Sequence, residues 1–496
     1  SLVMQESRLA GLFNPESVAV VGVSRVAQPT GGTAQFVMRL QAAGFPGPIY
    51  PINPQASTIL GLKAYPNLRA VPQPVGLVII GVPAPDVPPV LEECLQIGAT
   101  NVHLYTAGFK ETGRKEGIRL EKQIKDIAAR GRLNLVGPNC MGLYVPAKKL
   151  ISFGALPEGS GNVAFLSQSG GLAEDYSQYA RSLDIRFSKI VSFGNGCVLD
   201  ATDFLEYLAG DPETRIVGMY LEGIKDGRRF TALVREVNRR KPVVVWKGGL
   251  TASGSRAVSS HTGSLAGAEA VWNAFFEQTG AIQAGSLVEM AGVTKSLLHL
   301  PPPRGRRLAL WGSGGGSSVA LADACAREGL EVPVLRRRTR QELQSYVPIA
   351  GSSVRNPLDA TTSLRDSELA GRTLHLLNRD SSVDLIVVNR NVGNHPEEQE
   401  HLKGLIDEVI GFCRQNHKVK PLAVALGSPS QDIPQQSRRL ALSNQLARAG
   451  VPVFDSVELA ARALSKWVGY YEFQRLQRGA GLLGQARLRH PSRVAS

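Results

Sequence analysis

The sequence predicts an α/β protein of three Rossmann-like or flavodoxin-like domains with mostly parallel sheets. Three times along its 496 residues, a short β-branched strand is followed by a glycine turn and an amphipathic helix. These blocks open at residues 18–24, 163–171 and 308–316. Such alternation predicts right-handed βαβ units. A chain of this length can bury a separate core in each of about three domains.

The individual elements follow from runs of aliphatic residues bounded by glycine, proline or asparagine. We expect a helix at 33–43 and further strands at 49–52, 77–82, 102–105, 133–136, 189–192, 216–221, 243–246, 385–389, 422–425 and 452–454. Proline and polar residues interrupt the pattern at 138–157 and 301–303. We therefore expect domains at 1–147, 148–302 and 303–470, followed by a flexible basic tail at 471–496.

Charge and cysteine usage restrict the functional classes. There are 56 basic and 42 acidic residues, a net charge of +14, and part of the excess lies in the acid-free segment 474–496. No basic–aromatic pattern accompanies it, so we interpret the charge as solvated surface rather than a nucleic-acid site. The five cysteines are scattered without metal-ligand spacing, and no long apolar segment occurs. We expect a soluble cytoplasmic protein with reduced thiols and no metal site.

The segment 259–267, Ser-Ser-His-Thr-Gly-Ser-Leu-Ala-Gly, is the most informative in the chain. We expect His261 on a loop between small residues, with a helix beginning near Ser264. Flanking hydroxyls from Ser260 and Thr262, backbone N–H groups near Gly263 and a helix N-terminus would suit a phosphoryl group. The alternative is an ordinary loop histidine.

Two further turns fall at strand ends in the same block. Ser169-Gly170-Gly171 opens a helix after a strand, where exposed N–H groups can hold a phosphoryl group. Glu222 ends an apolar strand and could accept one N–H of His261, which leaves the other ring nitrogen free as a nucleophile. The alternative for Glu222 is a surface or capping residue.

The first block carries a nucleotide-type turn at 22–25 without the full G-x-G-x-x-G pattern. No acid closes the second strand, where Asn53 stands instead, so a NAD site has little support. A ligand with phosphates and no ribose-diol requirement fits better, and a plain tight turn is the alternative. Cys140 has no local histidine, which favours a packed thiol over a nucleophile.

These motifs together resemble the α-subunit part of the NDP-forming acyl-CoA synthetases, the succinyl-CoA synthetase superfamily. The resemblance extends from about residue 11 to about residue 467. The most specific segments are 137–142, 165–170, 220–228 and 259–263, which read GPNCMG, FLSQSG, YLEGIKDGR and SSHTG.

The resemblance implies a CoA-binding Rossmann-like domain, a ligase domain with the phosphohistidine loop and a second flavodoxin-like ligase domain. It implies that His261 is phosphorylated and Glu222 orients it, with phosphate held by Ser169, Gly170, Gly171, Ser260, Thr262 and Gly263. It implies CoA binding at Gly22, Ser24, Arg25, Asn53, Val82, Pro83, Ala84, Ala107, Gly108, Glu111 and Asn139.

The implied activity is synthesis of acyl-CoA from a carboxylic acid, CoA and ATP or GTP, through acyl phosphate and phosphohistidine. Two departures accompany it. Lysines that relatives often place toward CoA phosphates are absent at 27–30 and at Gln55. No segment matches an ATP-grasp module of about 200 residues, so we expect a hetero-oligomer with an ATP-grasp β subunit that binds most of the nucleotide and Mg. The alternatives are a non-catalytic CoA or acyl-CoA-binding regulatory protein and a NAD-dependent oxidoreductase.

Overall fold

The computed structural model describes residues 8–24, 32–262, 269–312, 315–415 and 418–489, without the side chains of 259–262, 315 and 480–489. The chain divides into two compact units, Ser1–Gly285 and Ser286–Ser496. None of the described helices is both long and apolar enough to cross a bilayer.

The strands are β1 Val18–Val21, β2 Ile49–Ile52, β3 Thr58–Ile59, β4 Leu62–Lys63, β5 Leu77–Ile80, β6 Asn101–Leu104, β7 Asn134–Val136, β8 Gly142–Val145, β9 Leu150–Ile151, β10 Val163–Ser167, β11 Phe187–Ser192, β12 Ile216–Leu221, β13 Val243–Lys247, β14 Ile282–Ala284, β15 Leu308–Gly312, β16 Leu358–Asp359, β17 Leu385–Asn391, β18 Leu422–Gly427 and β19 Val453–Phe454.

The helices are α1 Ala10–Phe13, α2 Ala34–Ala43, α3 Val87–Gln96, α4 Lys115–Gly131, α5 Gly170–Ser182, α6 Ala201–Gly210, α7 Gly227–Val237, α8 Ala252–Thr262, α9 Glu269–Thr279, α10 Leu287–His299, α11 Gly315–Arg327, α12 Arg337–Gln344, α13 Thr361–Arg365, α14 Ser367–Arg379, α15 Pro396–Cys413, α16 Ile433–Arg448 and α17 Val457–Arg489.

The first unit begins with a parallel sheet of five strands in the order β2-β1-β5-β6-β7. All residues of β1 and β5 are buried, as expected for aliphatic strands covered by helices on both faces. The chain leaves β1 toward β2 on one side and reaches β5 on the other. The carboxyl ends of β1 and β5 therefore form a topological switch point, where open α/β sheets bind ligands.

The second sheet of the first unit has seven strands in the order β14-β13-β12-β10-β11-β8-β9. Strands β10 to β14 run parallel, whereas β8 pairs antiparallel with β11 and β9 antiparallel with β8. Residues 142–145, which we expected in the first domain, thus belong to the second sheet. The sequence does not predict β8 and β9, because such short strands at a sheet edge carry little periodic signal.

The second unit holds a parallel sheet in the order β16-β15-β17-β18-β19. Helix α17 continues to Arg489, and the guanidinium of Arg475 donates to the carbonyl of Pro303 over 2.7 Å. The expectation of a flexible tail from residue 471 is therefore wrong for the described part of that segment. The α/β class with mostly parallel sheets is confirmed, while the four-part domain division stays a prediction.

Candidate active site

Two turns meet at the carboxyl ends of β10 and β12, which we call the second carboxyl edge (residues 167–171 and 221–223). The parallel register pairs Ser167 with Tyr220, so the residues that follow each strand are neighbours. The side-chain oxygen of Gln168 accepts the backbone N–H of Glu222 over 2.7 Å and that of Gly223 over 3.2 Å. This amide joins the two turns into one rigid edge.

Helix α5 begins at this edge with its N-terminus open. Ser169 is the N-cap, and its hydroxyl accepts the N–H of Leu172 over 3.3 Å. Gly170 and Gly171 follow without side chains, and a Cβ placed on Gly171 would meet no atom within 4 Å. The first turn of a 13-residue helix presents N–H groups and the positive end of its dipole, which suits an anion such as a phosphoryl group.

Glu222 stands beside that helix start and is buried, with 4% of its surface exposed. The hydroxyl of Tyr220 donates to its Oε1 over 3.1 Å. Burial and Glu222 together keep that phenol protonated, because desolvation, the negative charge of Glu222 and the hydrogen bond all raise the pKa of Tyr220. The alternative of Glu222 as a surface residue is therefore wrong.

His261 lies in the last turn of α8, and its side chain is outside the described residues, as are those of Ser260 and Thr262. The expectation of a loop histidine is wrong for the backbone. The helix signal was missed because Ser, Gly and Thr dominate α8 and have low helix propensity. Gly263 and Ser264 fall outside the described residues, and the next helix, α9, begins at Glu269.

Lys247 also lies at the second carboxyl edge, although the sequence alone did not point to it. It ends β13, is 4% exposed, and pairs in register with Leu221, the residue before Glu222. Its ammonium contacts the carbonyl of Gly248 and lies 5.3 Å from the ring centroid of Trp272. The signal in the sequence that could have pointed to Lys247 was a charged residue at the end of the apolar run 243–246.

The first carboxyl edge, at the ends of β1, β5 and β6, collects residues expected to bind CoA. Gly22 has φ +91°, and a Cβ there would approach Gly81 and Val82 to 3.0 Å. Two strand-end loops therefore touch at a point that admits only glycine. The side chain of Asn53 donates to the carbonyl of Val23 over 2.8 Å and so shapes the same turn. Ser24 is exposed, and Arg25 lies outside the described residues.

The loops after β5 and β6 complete this edge. The hydroxyl of Thr106 donates to the carbonyl of Val82 over 2.6 Å. Pro83 caps a short 3-10 turn that begins at Ala84, and Ala84 lies against Gly108. Ala107 connects Thr106 to Gly108 in the neighbouring loop. Several predicted CoA-binding residues are thus brought together, although the roles assigned to them stay predictions.

Glu111 and Asn139, which we expected to bind CoA, form hydrogen bonds with other groups of the protein. Glu111 accepts the N–H groups of Gly108 and Phe109 over 2.6 and 3.1 Å, and its other oxygen accepts the side-chain amide of Asn195 over 2.6 Å. Asn139, at φ +58°, donates to the side-chain oxygen of Asn195 over 3.4 Å. These contacts shape the loop that carries Glu111. That loop, in the turn Lys110–Thr112, lies next to α8.

Cys140 is buried, and its thiol contacts the carbonyl oxygens of Leu104 and Val136. Burial raises the pKa of this thiol far above its ordinary value, so it is a packed thiol, as predicted. Among the described residues, no group of three His, Cys, Asp or Glu side chains is arranged to hold a metal ion.

Two family models match successive parts of the chain. Residues 16–146 match the family model described as a CoA binding domain, and residues 160–297 match the succinyl-CoA ligase like flavodoxin domain.

The acetate–CoA ligase [ADP-forming] II subunit alpha of Pyrococcus furiosus is 38% identical, over 80% of this chain and 86% of that protein. The corresponding subunit alpha of ligase I from the same organism is 34% identical, over 92% of this chain and 97% of its own length. The chain belongs to the ADP-forming acyl-CoA synthetases, as an α subunit.

A solved structure of an acetyl-coenzyme A synthetase from Ca. Korarchaeum cryptofilum, in complex with phosphate and ADP, matches with a TM-score of 0.82 and 32% identity. The match covers 95% of this chain and 98% of that one. This ADP-forming acyl-CoA synthetase α subunit is therefore an acid–thiol ligase with a CoA-binding domain, as the resemblance implied. A NAD-dependent oxidoreductase and a non-catalytic regulator are set aside.

Proposed function

We propose that this α subunit makes acyl-CoA from a carboxylic acid, CoA and ATP or GTP, with the phosphoryl group carried by His261. The arrangement of Glu222 carries the proposal. A buried carboxylate stands beside the open N-terminus of α5, and the helix with His261 begins a few residues after the neighbouring strand β13. We propose that His261 meets the carboxylate and the anion site at this edge.

The chemistry needs such a relay because a carboxylate has no good leaving group. An imidazole nitrogen of His261 attacks the γ-phosphorus of ATP or GTP, and the nucleoside diphosphate leaves as the N–P bond forms. A carboxylate oxygen of the acid then attacks phosphorus, the N–P bond breaks, and an acyl phosphate forms. The CoA thiolate attacks the acyl carbon, and inorganic phosphate leaves as the thioester forms. The relay thus divides one difficult substitution at the carboxylate into several easier steps.

The residues of the second carboxyl edge have separable roles in this scheme. Glu222 accepts one N–H of the imidazole, which leaves the other nitrogen free to attack and steadies positive charge on the ring. The N–H groups at Gly170 and Gly171, with the hydroxyl of Ser169 as cap, stabilise the charge of the phosphoryl oxygens without requiring arginines. Ser260, Thr262 and Gly263 are proposed to line the same site.

CoA is proposed to bind at the first carboxyl edge, where Gly22 permits close approach of its phosphates to the backbone. The match of residues 16–146 to a CoA binding domain supports this position. The loop at Lys110–Thr112 lies next to α8, the helix that carries His261, which supports thioester chemistry near that residue. We propose that a separate ATP-grasp β subunit binds the nucleotide and Mg and presents them to the phosphohistidine.

Phosphorylation of His261 tests the proposal. Incubation with an acyl phosphate should label the chain with an acid-labile, base-stable phosphoryl group, and His261→Ala should abolish the label and turnover while CoA binding persists. His375→Ala, which changes an exposed histidine on α14, should keep both. Full synthetase activity in His261→Ala would overturn the mechanism.

A further inference from the structure

Lys247 is a buried cation that the scheme above does not use. Its side chain forms no ion pair with any described residue, although it is only 4% exposed. Taking an ammonium out of water without a paired carboxylate is costly, so such a group calls for a compensating role. Buried charges of this kind concentrate at functional sites.

The contacts of Lys247 lie on both sides of the segment that carries His261. Its ammonium contacts the carbonyl of Gly248, which precedes α8, and faces the indole of Trp272, which belongs to α9 after it. A cation over an indole ring is a favourable arrangement, especially away from water. The side chain of Lys247 thus contacts the residues on either side of the segment 249–271, Gly248 before it and Trp272 after it.

Gly248 connects this contact to Glu222. Its N–H donates to the carbonyl of Leu221 over 2.8 Å, directly before Glu222. A Cβ on Gly248 would lie 2.6 Å from the hydroxyl oxygen of Tyr220, the group that donates to Glu222. Gly248 therefore lies against the Tyr220 hydroxyl and is hydrogen-bonded to the residue before Glu222.

Charge gives a second link between the same residues. Burial lowers the pKa of Lys247, and the negative charge of Glu222 opposes that shift. Glu222 is the described carboxylate whose charge acts on Lys247. Trp272 faces the ammonium from α9 and carries no charge, and Tyr220 and Trp246 pack against each other on the neighbouring strands.

We infer that Lys247 is a positioning residue for phosphoryl transfer: it holds the Gly248 turn against Tyr220 and Glu222 and supplies the positive charge beside that carboxylate. This inference rests on the proposed roles of His261 and Glu222. Lys247 acts through those groups and does not itself receive the phosphoryl group.

Lys295 offers a matched control in the second unit. It is also buried, contacts a strand-end carbonyl, that of Val453, and lies 4.2 Å from the ring centroid of Phe454. The two lysines therefore share burial, a carbonyl contact and an aromatic contact. Lys295→Met removes interactions of the same kinds as Lys247→Met but leaves the second carboxyl edge intact.

The test compares rates of His261 phosphorylation by acyl phosphate in a single turnover. Lys247→Met should lower the rate by about 10- to 100-fold, with the KM for CoA changed by less than about twofold. Lys247→Arg keeps the charge and can stack on the indole, so it should stay within about fivefold of the natural protein. Lys295→Met should lower thermal stability and leave the phosphorylation rate unchanged.

A double variant separates positioning from general stability. If Lys247 acts through Glu222, then Lys247→Met combined with Glu222→Gln should be no slower than Glu222→Gln alone. Three results would each overturn the inference. The double variant could be slower than Glu222→Gln by the full factor that Lys247→Met shows alone. Lys247→Arg could lose as much rate as Lys247→Met, or Lys247→Met could phosphorylate at the normal rate. If Lys247→Met does not fold, Trp272→Leu, which removes the ring beneath the ammonium, replaces it in the same cycle. An unlabelled, inactive His261→Ala beside a normal Lys247→Met would reject only the role of Lys247, whereas an active His261→Ala would reject the proposed function.

Discussion

The hydroxyl of Tyr220, in β12, donates a hydrogen bond over 3.1 Å to Oε1 of Glu222, which directly follows the last residue of that strand. Side chains two apart on extended backbone point to one side, and the end of β12 therefore brings these two groups together. This contact fixes Oε1 of the carboxylate. We propose that the imidazole of His261 donates to the same carboxylate.

Removing the charge of Glu222 tests its role. Glu222→Gln should lower turnover by about 10²- to 10⁴-fold, the range for losing a positioned acid–base partner. The amide can still accept a hydrogen bond, but it no longer stabilises positive charge on the ring. Phosphorylation of His261 should slow in parallel, while CoA binding stays unaltered. A loss confined to CoA affinity would place Glu222 in the thioester half of the reaction instead.

Removing the Tyr220 hydroxyl should have a smaller effect. Tyr220→Phe should slow phosphorylation of His261 by about 3- to 30-fold, because one hydrogen bond to a charged group is lost while the charge remains. Tyr144→Phe is the matched control, since its hydroxyl donates to the carbonyl of Ala155 at another place in the sheet. Equal rates in both variants would show that the Tyr220 contact has no part in the reaction.

Glycine at position 22 should be needed for CoA affinity. Gly22→Ala places a Cβ 3.0 Å from Gly81 and Val82 at φ +91°, so the turn must shift. We expect the Kd for CoA, measured by calorimetry, to rise by about tenfold. Gly61→Ala shares the strained backbone at φ +78° but meets no atom within 4 Å. Gly61→Ala should bind CoA normally. An equal loss of CoA affinity in that variant would contradict CoA binding at the first carboxyl edge.

The purified chain should depend on a partner for nucleotide chemistry. By itself it should bind CoA and accept a phosphoryl group from acyl phosphate, but it should not consume ATP. The relatives that it matches over most of their length are named as α subunits, which motivates this expectation. An ATP hydrolysis assay and a thioester assay on the single chain check it. ATP-dependent thioester formation by that chain would contradict a separate nucleotide-binding subunit.

A buried ion pair in the same unit should control acid stability. Lys189 and Asp211 are 2.8 Å apart, with 5% of each side chain exposed. Burial by itself would raise the pKa of Asp211, but hydrogen bonds from Lys189 and Thr214 and the charge of Lys189 lower it. The stability it contributes is present above the ordinary value of 3.8 and is lost as the pH falls below 3.8 through the lower folded-state pKa.

Asp211→Asn should therefore lower the free energy of unfolding at pH 7 by about 2–4 kcal/mol, because a buried ammonium loses its main partner. Denaturant titrations at pH 7 and in acid check this, and the difference between variant and natural protein should shrink in acid. Asp184→Asn breaks a more exposed pair with Arg186 and should cost less than about 1 kcal/mol. Similar costs at the two positions would refute a special role for the buried pair.

Much of the fold followed from the order of residues alone. Runs such as 77–82 and 243–246 predicted buried parallel strands because β-branched side chains pack well on sheets covered from both faces. The same reading located Glu222 at a strand end and the helix start at Ser169. Local composition misled at α8, where Ser, Gly and Thr suggested a loop, and at residues 142–151, where β8 pairs with the distant strand β11 and β9 with β8.

The sequence by itself determined the fold class, the family motifs and the chemistry-bearing residue types. Only the tertiary structure decided which of them meet: the side chain of Gln168 holds the backbone of Glu222 across 54 positions, and Lys247 lies in register with Leu221. The reason is physical. Strand formation depends on local side chains, whereas strand order and register are set by how whole helices and sheets bury their apolar faces, and that information is distributed over the entire chain.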